Sequence, residues 1–149
     1  MAGYSGTPLP KKLGIKPGAR IGLCQAPEDF AETLGELPAG VTTGAIGRGA
    51  GQFDVILCFA RSSKQLARDL PGLPARLAPA GGLWLAWPKK SASKSASKPA
   101  GFATDLTEAE VRGRGLATGL VDNKVCAIDA TWSGLRFVVR LADRRAPKK

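Results

Sequence analysis

The stretch from Phe53 to Lys90 limits the fold of this chain more than any other part of the sequence. Phe53 to Ala60 is a continuous apolar run that only Asp54 interrupts, and it is rich in β-branched and aromatic residues. Such a run is typical of a strand that is buried on both faces of a parallel sheet. It therefore predicts a central strand of an α/β sheet.

A helix and a second strand are predicted directly after this run. Ser62 is a good N-cap residue, and Gln65 three positions later can complete a capping box. Glycine accepts a positive φ, so Pro79–Gly82 is predicted to be a turn, and Leu83–Trp87 is the next buried strand. A strand, a helix and a strand in this order form a right-handed crossover. Leucines at helical spacing form one apolar face, which two prolines are predicted to break: Leu66, Leu70, Leu73, Leu77, Pro71 and Pro74.

The rest of the chain continues the alternation of strands and helices. One helix is predicted to start at Pro27 and stop at Gly35, and another to start at a Thr107 capping box and end near Gly113 or Gly115. The joint at residues 130–134 is too short for a crossover, so the final strand is antiparallel. The expected fold is α/β, with a shortened Rossmann-like, mostly parallel sheet and an antiparallel C-terminal strand. Further strands are predicted at residues 19–24, 41–46, 121–129 and 135–141.

Composition divides the chain into a folded body and less regular segments. Residues 1–18 carry turn residues without a helical or strand period, which predicts an irregular arm before a single domain at 19–141. The SASKSASK repeat predicts a low-complexity loop at 91–100, and residues 142–149 form a basic tail. Much of the net charge of +10 lies in the loop and the tail. These segments predict either solubility alone or weak, non-specific binding to nucleic acid.

Several classes of function are disfavoured by the residue types. The chain has no histidine, which removes Ser-His-Asp and Cys-His arrangements and the best proton-transfer group near neutral pH. Three cysteines lie far apart in sequence without a CxxC motif, so no metal site is predicted and they are interpreted as small buried residues. No catalytic residue is predicted. The three cysteines are Cys24, Cys58 and Cys126. The candidate carboxylates Asp105, Asp122 and Asp129 are not paired at a spacing that suggests an acid and a base.

No apolar run in the sequence is long enough to cross a membrane, and the first residues lack the apolar core of a signal peptide. We therefore expect a cytoplasmic protein with no membrane partner.

The order of predicted elements resembles the Rossmann-type sheet of S-adenosylmethionine-dependent methyltransferases. That resemblance rests on FDVILCFA followed by a helix, on LAPAGGLWLAWP and on the closing hairpin. The chain is also similar to a bacterial family of uncharacterised proteins with a domain of unknown function, through YSGTPLPKKLGIKPG, LWLAWPKK and TWSGLRFV. This second resemblance implies no established reaction or ligand.

The residues that would bind the methyltransferase cofactor are not matched. The loop Gln25–Asp29 after the first strand has no glycine, and Arg48 follows the second strand where an acid would hold the ribose. Gly47, Gly49 and Gly51 precede a strand rather than a helix, so they do not place a phosphate at a helix N-terminus. We expect no cofactor, and S-adenosylmethionine in particular is not expected to bind appreciably.

The carboxyl edge of the predicted sheet is the candidate site, because ligands bind there in open α/β sheets. Two indoles and several cations at this edge could hold a planar or anionic ligand. Trp87 and Trp132 are predicted to meet at one pocket rim, whereas Arg136 faces the pocket only in one register of the last strand. The alternative is that the tryptophans are core or lid residues and the cations are solvated. The predicted ligand-binding residues are Arg61, Trp87, Lys89, Lys90, Trp132, Ser133 and Arg136.

The predicted function is non-catalytic binding of a small anionic ligand or a protein partner at this edge. One alternative is an enzyme that acts on an anionic substrate at Arg61, Lys89 and Trp132. Another is a weak, non-specific nucleic-acid binder that acts through the basic loop and tail.

Overall fold

The computed structural model of the chain describes residues 9–26, 30–46, 52–88, 106–128 and 132–139. Six strands in these residues form one sheet, in the order β2-β1-β3-β4-β6-β5. Neighbours from β2 to β4 are parallel, and β6 is antiparallel to both β4 and β5. The predicted fold class is therefore confirmed. The strands are β1 Arg20–Cys24, β2 Thr42–Ala45, β3 Phe53–Phe59, β4 Leu77–Pro88, β5 Val121–Ala127 and β6 Trp132–Val138.

The helices of the described residues are short. α4 ends at Leu116, one residue after Gly115, which confirms the predicted end near Gly113 or Gly115. The predicted break at Pro71 is confirmed, because two 3-10 turns follow α3. None of the described helices is long and apolar enough to cross a membrane. The elements are α1 Leu9–Lys12, α2 Phe30–Leu34, α3 Ser63–Asp69, the turns Leu70–Gly72 and Pro74–Arg76, and α4 Glu108–Leu116.

Both predicted N-caps are present. The backbone nitrogen of Gln65 donates to Ser62 Oγ at 3.1 Å, and that of Glu110 donates to Thr107 Oγ1 at 3.2 Å. Each bond satisfies a donor that the first helical turn leaves open. The Gln65 side chain reaches back one residue further than a capping box requires, since its Oε1 accepts from the Arg61 nitrogen at 3.1 Å.

The turn predicted at Pro79–Gly82 is wrong, because β4 continues through these residues. The register between β3 and β4 is irregular where the two strands begin. A Cβ atom on Gly81 would lie 2.5 Å from the carbonyl oxygen of Asp54. Glycine therefore allows β4 to approach the β3 backbone closely here, rather than reversing the chain.

The two faces of the sheet carry separate apolar cores. Residues of one strand alternate between these faces. We name the faces after the helices that cover them. The α3 face buries Leu66, Leu70, Val111, Cys58, Leu83, Leu85, Trp87, Leu135 and Phe137. The α2 face buries Leu13, Ile15, Phe30, Leu34, Phe59, Trp84, Ile128 and Trp132.

Part of the predicted N-terminal arm belongs to the folded core. Residues 9–12 form α1, and Leu13 and Ile15 are only 0% and 5% exposed on the α2 face. The indole nitrogen of Trp84 donates to the Leu13 carbonyl oxygen at 3.1 Å. The prediction of an irregular arm is therefore wrong for this part of the chain.

Several predicted features lie outside the described residues. They are the helix start at Pro27, Arg48 with its flanking glycines, Lys89, Lys90, Asp105, Asp129, the loop 91–100 and the tail 142–149.

Candidate functional site

The connections of the sheet change sides between β1 and β3. α2 follows β1 and packs on one face of the sheet through Phe30 and Leu34. α3 follows β3 and packs on the opposite face through Leu66 and Leu70. In open α/β sheets, ligands bind in the crevice outside the carboxyl ends of the strands at such a switch point. The candidate site predicted at the carboxyl edge can thus be narrowed to the ends of β1 and β3.

Two cysteines and a carboxylate meet near these strand ends. Cys24 and Cys58 are direct partners in the parallel register of β1 and β3, and Asp69 is the last residue of α3. The two sulfur atoms and one carboxylate oxygen all lie within 4.8 Å of one another. Cys58 is buried and Cys24 is half-buried, so solvent reaches the cluster from the side of β1.

The two thiols of this cluster differ in acidity. A hydrogen bond from the Cys58 thiol lowers the pKa of Cys24, although burial and the nearby Asp69 oppose the shift. The same bond raises the pKa of Cys58, and burial raises it further. Cys24 is therefore the thiol that ionises first, and it is also the more accessible of the two.

The Asp69 carboxylate is held by two neighbours on α3. Arg68 Nε donates to Asp69 Oδ1 at 2.9 Å, and the Asp69 side chain is 13% exposed against 65% for Arg68. Gln65 Nε2 donates to the Phe59 carbonyl oxygen at 2.7 Å and makes a longer contact of 3.5 Å to Asp69 Oδ2. These bonds fix the carboxylate close to both thiols.

Arg61 lies just beyond the carboxyl end of β3, over a buried indole. Its Cζ atom is 5.3 Å from the centroid of the Trp132 ring, a distance at which cation–π attraction operates. Trp132 is 3% exposed and meets Phe59 edge-to-face at 5.0 Å. Within the described part of the chain, no carboxylate forms an ion pair with Arg61. The structure thus brings together two of the predicted site residues, Arg61 and Trp132.

The prediction that Trp87 and Trp132 share one pocket rim is wrong. The two residues lie at the same end of neighbouring strands, but Trp132 pairs with Pro88 whereas Trp87 pairs with Ser133. Because side chains alternate along a strand, the two indoles occupy opposite faces of the sheet. Trp132 and Ser133 begin β6 and are not part of the predicted joint. Ser133 is half-buried on the face of Trp87.

Arg136 is not at the carboxyl edge. With Asp54 and Gly14 it lines a cavity of about 370 Å³ beside the start of β3. Its Nη1 lies 3.4 Å from the side-chain oxygen of Asn123. The structure therefore separates Arg136 from Arg61 and Trp132, which corrects its predicted place in one pocket.

The cluster of Cys24, Cys58 and Asp69 was not predicted from the sequence. The cysteines were interpreted as small buried residues, because their distance along the chain hides their contact. A usable signal was present, since one cysteine ends the first predicted strand and the other lies near the end of the third. Carboxyl ends of parallel neighbours meet at the same edge of a sheet.

The described residues do not fit the cofactor that the methyltransferase resemblance implies. Gln25 follows β1 with a φ of 57°, so the backbone there adopts a left-handed turn but carries a long side chain. Ile46 follows β2, is apolar and packs against the core of the α3 face. Neither position supplies the glycine turn or the ribose-binding acid.

Comparison with solved structures shows the fold. DhpI in complex with SAM and HEP matches with a TM-score of 0.51 at 10% identity, over 79% of this chain and 77% of that one. DhpI with SAH gives 0.51 at 11% identity, over 82% and 76%. Magnesium protoporphyrin IX methyltransferase (ChlM) from Synechocystis PCC 6803 with bound SAH gives 0.46 at 13% identity, and the match covers 75% of this chain but only 56% of ChlM.

Sequence comparison adds no family to this result. No protein-family model and no curated protein matches the chain. The resemblance to a bacterial family of unknown function therefore stays a prediction. The chain has a methyltransferase-like Rossmann fold, and the likeness reaches no further than the fold.

Proposed function

We propose that this protein binds a small anionic ligand at the carboxyl edge of the sheet, in front of β1 and β3, without catalysing its conversion. The observation that carries the proposal is the position of Arg61. Its guanidinium is held over Trp132 beside the switch point and forms no ion pair with a carboxylate of the described residues.

The chemistry of Arg61 favours an anion. A guanidinium presents a planar fork of donors that matches carboxylate and phosphate oxygens. An aromatic face behind the fork restricts its motion, so less conformational entropy is lost when the ligand binds. Asp69, the carboxylate of the cysteine cluster, is already paired with Arg68 at 2.9 Å. Among the cations that the structure describes at this edge, Arg61 is therefore the one best placed to receive a ligand.

The absence of catalysis is inferred from the residue types. The chain has no histidine, the side chain best suited to proton transfer near neutral pH. Asp122, one of the candidate carboxylates, is bound to Arg112 Nε at 2.9 Å on another part of the fold. The second candidate function is an enzyme that acts on an anionic substrate, and the half-buried Cys24, with its lowered pKa, favours it.

Two other predicted partners are kept as proposals. A protein partner could occupy the same edge in place of a small ligand. Weak, non-specific nucleic-acid binding would act through residues 91–98 and 144–149, and its strength would fall steeply with salt.

A pair of arginine variants tests the proposed ligand site. Titration with inorganic phosphate, pyrophosphate and citrate is expected to change tryptophan fluorescence in a Trp87→Phe background, because Trp132 lies against Arg61. Arg61→Ala is expected to weaken binding about tenfold or more, which corresponds to about 1.4 kcal/mol. The matched control is Arg20→Ala, since Arg20 also stacks on an aromatic ring, Phe53 at 4.5 Å, but at the amino end of β1. Equal responses of the two variants would contradict the site.

A second test concerns the cofactor of the methyltransferase fold. Calorimetric titration with S-adenosylmethionine is expected to give no measurable heat of binding, because the loop Gln25–Asp29 has no glycine and Arg48 follows the second strand where an acid would hold the ribose. A dissociation constant in the micromolar range would contradict this expectation. It would also favour the second candidate function, an enzyme, over non-catalytic binding.

A further inference from the structure

We propose that Cys24, Cys58 and Asp69 form a binding site for one thiophilic divalent metal ion, of which Zn²⁺ is the physiological example. The three donors come from three elements that the fold fixes against one another: the ends of β1 and β3 and the last turn of α3. This inference stands apart from the anion site at Arg61, and either can hold without the other.

The geometry is close to that of a metal centre. The three ligand atoms lie within 4.8 Å of one another. A tetrahedral zinc ion with Zn–S bonds of about 2.3 Å separates its ligand atoms by roughly 3.5–3.8 Å. Cys24 and Cys58 are direct register partners, so the sheet holds their backbones side by side.

The donor set selects the class of metal. Two thiolates favour Zn²⁺ and its heavier analogue Cd²⁺ over Mg²⁺ or Ca²⁺, which prefer oxygen ligands. Binding releases the two thiol protons to solvent, and the ion then neutralises charge that would otherwise be buried. Three protein ligands leave a fourth position open, which is typical of zinc sites that bind a ligand rather than of purely structural ones.

The surroundings of the cluster provide access and support. Cys24 is half-buried, so an ion can enter from the side of β1. Gln65 Nε2 bonds the Phe59 carbonyl oxygen at 2.7 Å and approaches Asp69 Oδ2 at 3.5 Å, which orients the carboxylate. Arg68 Nε donates to Oδ1 at 2.9 Å and Arg68 Nη2 donates to Oδ2 at 3.4 Å, so Arg68 competes with the metal for the carboxylate.

Cadmium titration of the full chain tests the site. The protein is kept reduced with a phosphine and freed of metal by a chelator, and Cd²⁺ is added while thiolate-to-cadmium absorption is followed in the ultraviolet. The expected result is absorption that saturates at one Cd²⁺ per chain and is displaced by excess Zn²⁺. Cys24→Ser and Cys58→Ala are each expected to abolish this saturating absorption. Cys126→Ser is the matched control and is expected to keep it, since residue 126 lies in the edge strand β5.

Two variants on α3 test whether the Asp69 carboxylate is a third metal ligand or whether two neighbouring thiols alone bind the ion. Asp69→Asn is expected to weaken Cd²⁺ binding about tenfold while the absorption at saturation remains. Arg68→Ala is expected to tighten binding severalfold, because the competing cation is removed. Because Cys58 is buried, circular dichroism must show that each variant is folded. If Cys58→Ala does not fold, the result for Cys24→Ser alone decides the test. Wild-type protein without one-to-one absorption, a Cys24→Ser variant that retains it, or unchanged affinity in Asp69→Asn would overturn the proposal.

Discussion

Replacing Gly115 by alanine is expected to destabilise the fold by about 1–3 kcal/mol, although alanine is the better helix former. Gly115 is a buried residue of α4. A Cβ atom at this position would overlap the ring of Phe137. Phe137 is 0% exposed in the core of the α3 face, so its ring has no free space into which it can move. The added methyl group must push α4 away from β6.

The neighbouring glycine provides the control. Gly113 lies in the same helix, is exposed, and a Cβ atom there meets no atom within 4 Å. Gly113→Ala is expected to stabilise the protein by about 0.5–1 kcal/mol, because alanine loses less backbone entropy in a helix. Urea unfolding followed by tryptophan fluorescence measures both effects. A shift of both midpoints in the same direction would show that close packing at Gly115 is not the reason for glycine there.

The same pair explains why a glycine in the sequence does not by itself mark the end of a helix. Glycine serves both as a helix stop, through a positive φ, and as a site of close approach, through its missing side chain. Gly35 is a stop, as predicted, with a φ of 80° just after α2. Gly115 and Gly81 are sites of close approach. Which of the two uses applies depends on the partner element, and that partner is not visible in the local sequence.

The fold class was predictable because it depends on local signals. Apolar runs predicted the strands, and oxygen-bearing side chains at Ser62 and Thr107 predicted the starts of two helices. The short joint before the last strand predicted its antiparallel direction. Each of these signals is complete within a few residues, so tertiary contacts had little opportunity to override it.

The candidate site was less predictable because it depends on register and pairing. β6 begins at Trp132, three residues before the predicted start, and its register with β4 decides which face each indole occupies. A shift of one residue would move Trp132 to the other face. The contact of Cys24 with Cys58 is likewise a consequence of the β1–β3 register. The position of Arg61 at the carboxyl edge was predictable, because it depends only on where β3 ends.

Trp84→Phe is expected to loosen the N-terminal segment and to destabilise the whole protein by about 2–3 kcal/mol. Trp84 is 0% exposed in the centre of the sheet, and its indole nitrogen donates to the Leu13 carbonyl oxygen at 3.1 Å. Phenylalanine fills less of the space and has no donor, so the variant leaves a small cavity and a buried carbonyl that has lost this bond. Both changes fall where residues 9–15 pack on the α2 face.

A local measurement distinguishes this attachment from a general loss of packing. The backbone nitrogens of Leu13 and Ile15 donate at 2.9 Å to the carbonyl oxygens of Leu9 and Pro10, so hydrogen exchange at these two amides reports on the segment. Trp84→Phe is expected to accelerate exchange there more than its loss of global stability explains. Trp87→Phe removes the same part of an indole from the opposite face. It is expected to accelerate exchange at these two amides no more than its loss of global stability explains. Equal acceleration in both variants would mean that the Trp84 hydrogen bond does not hold the segment to the sheet.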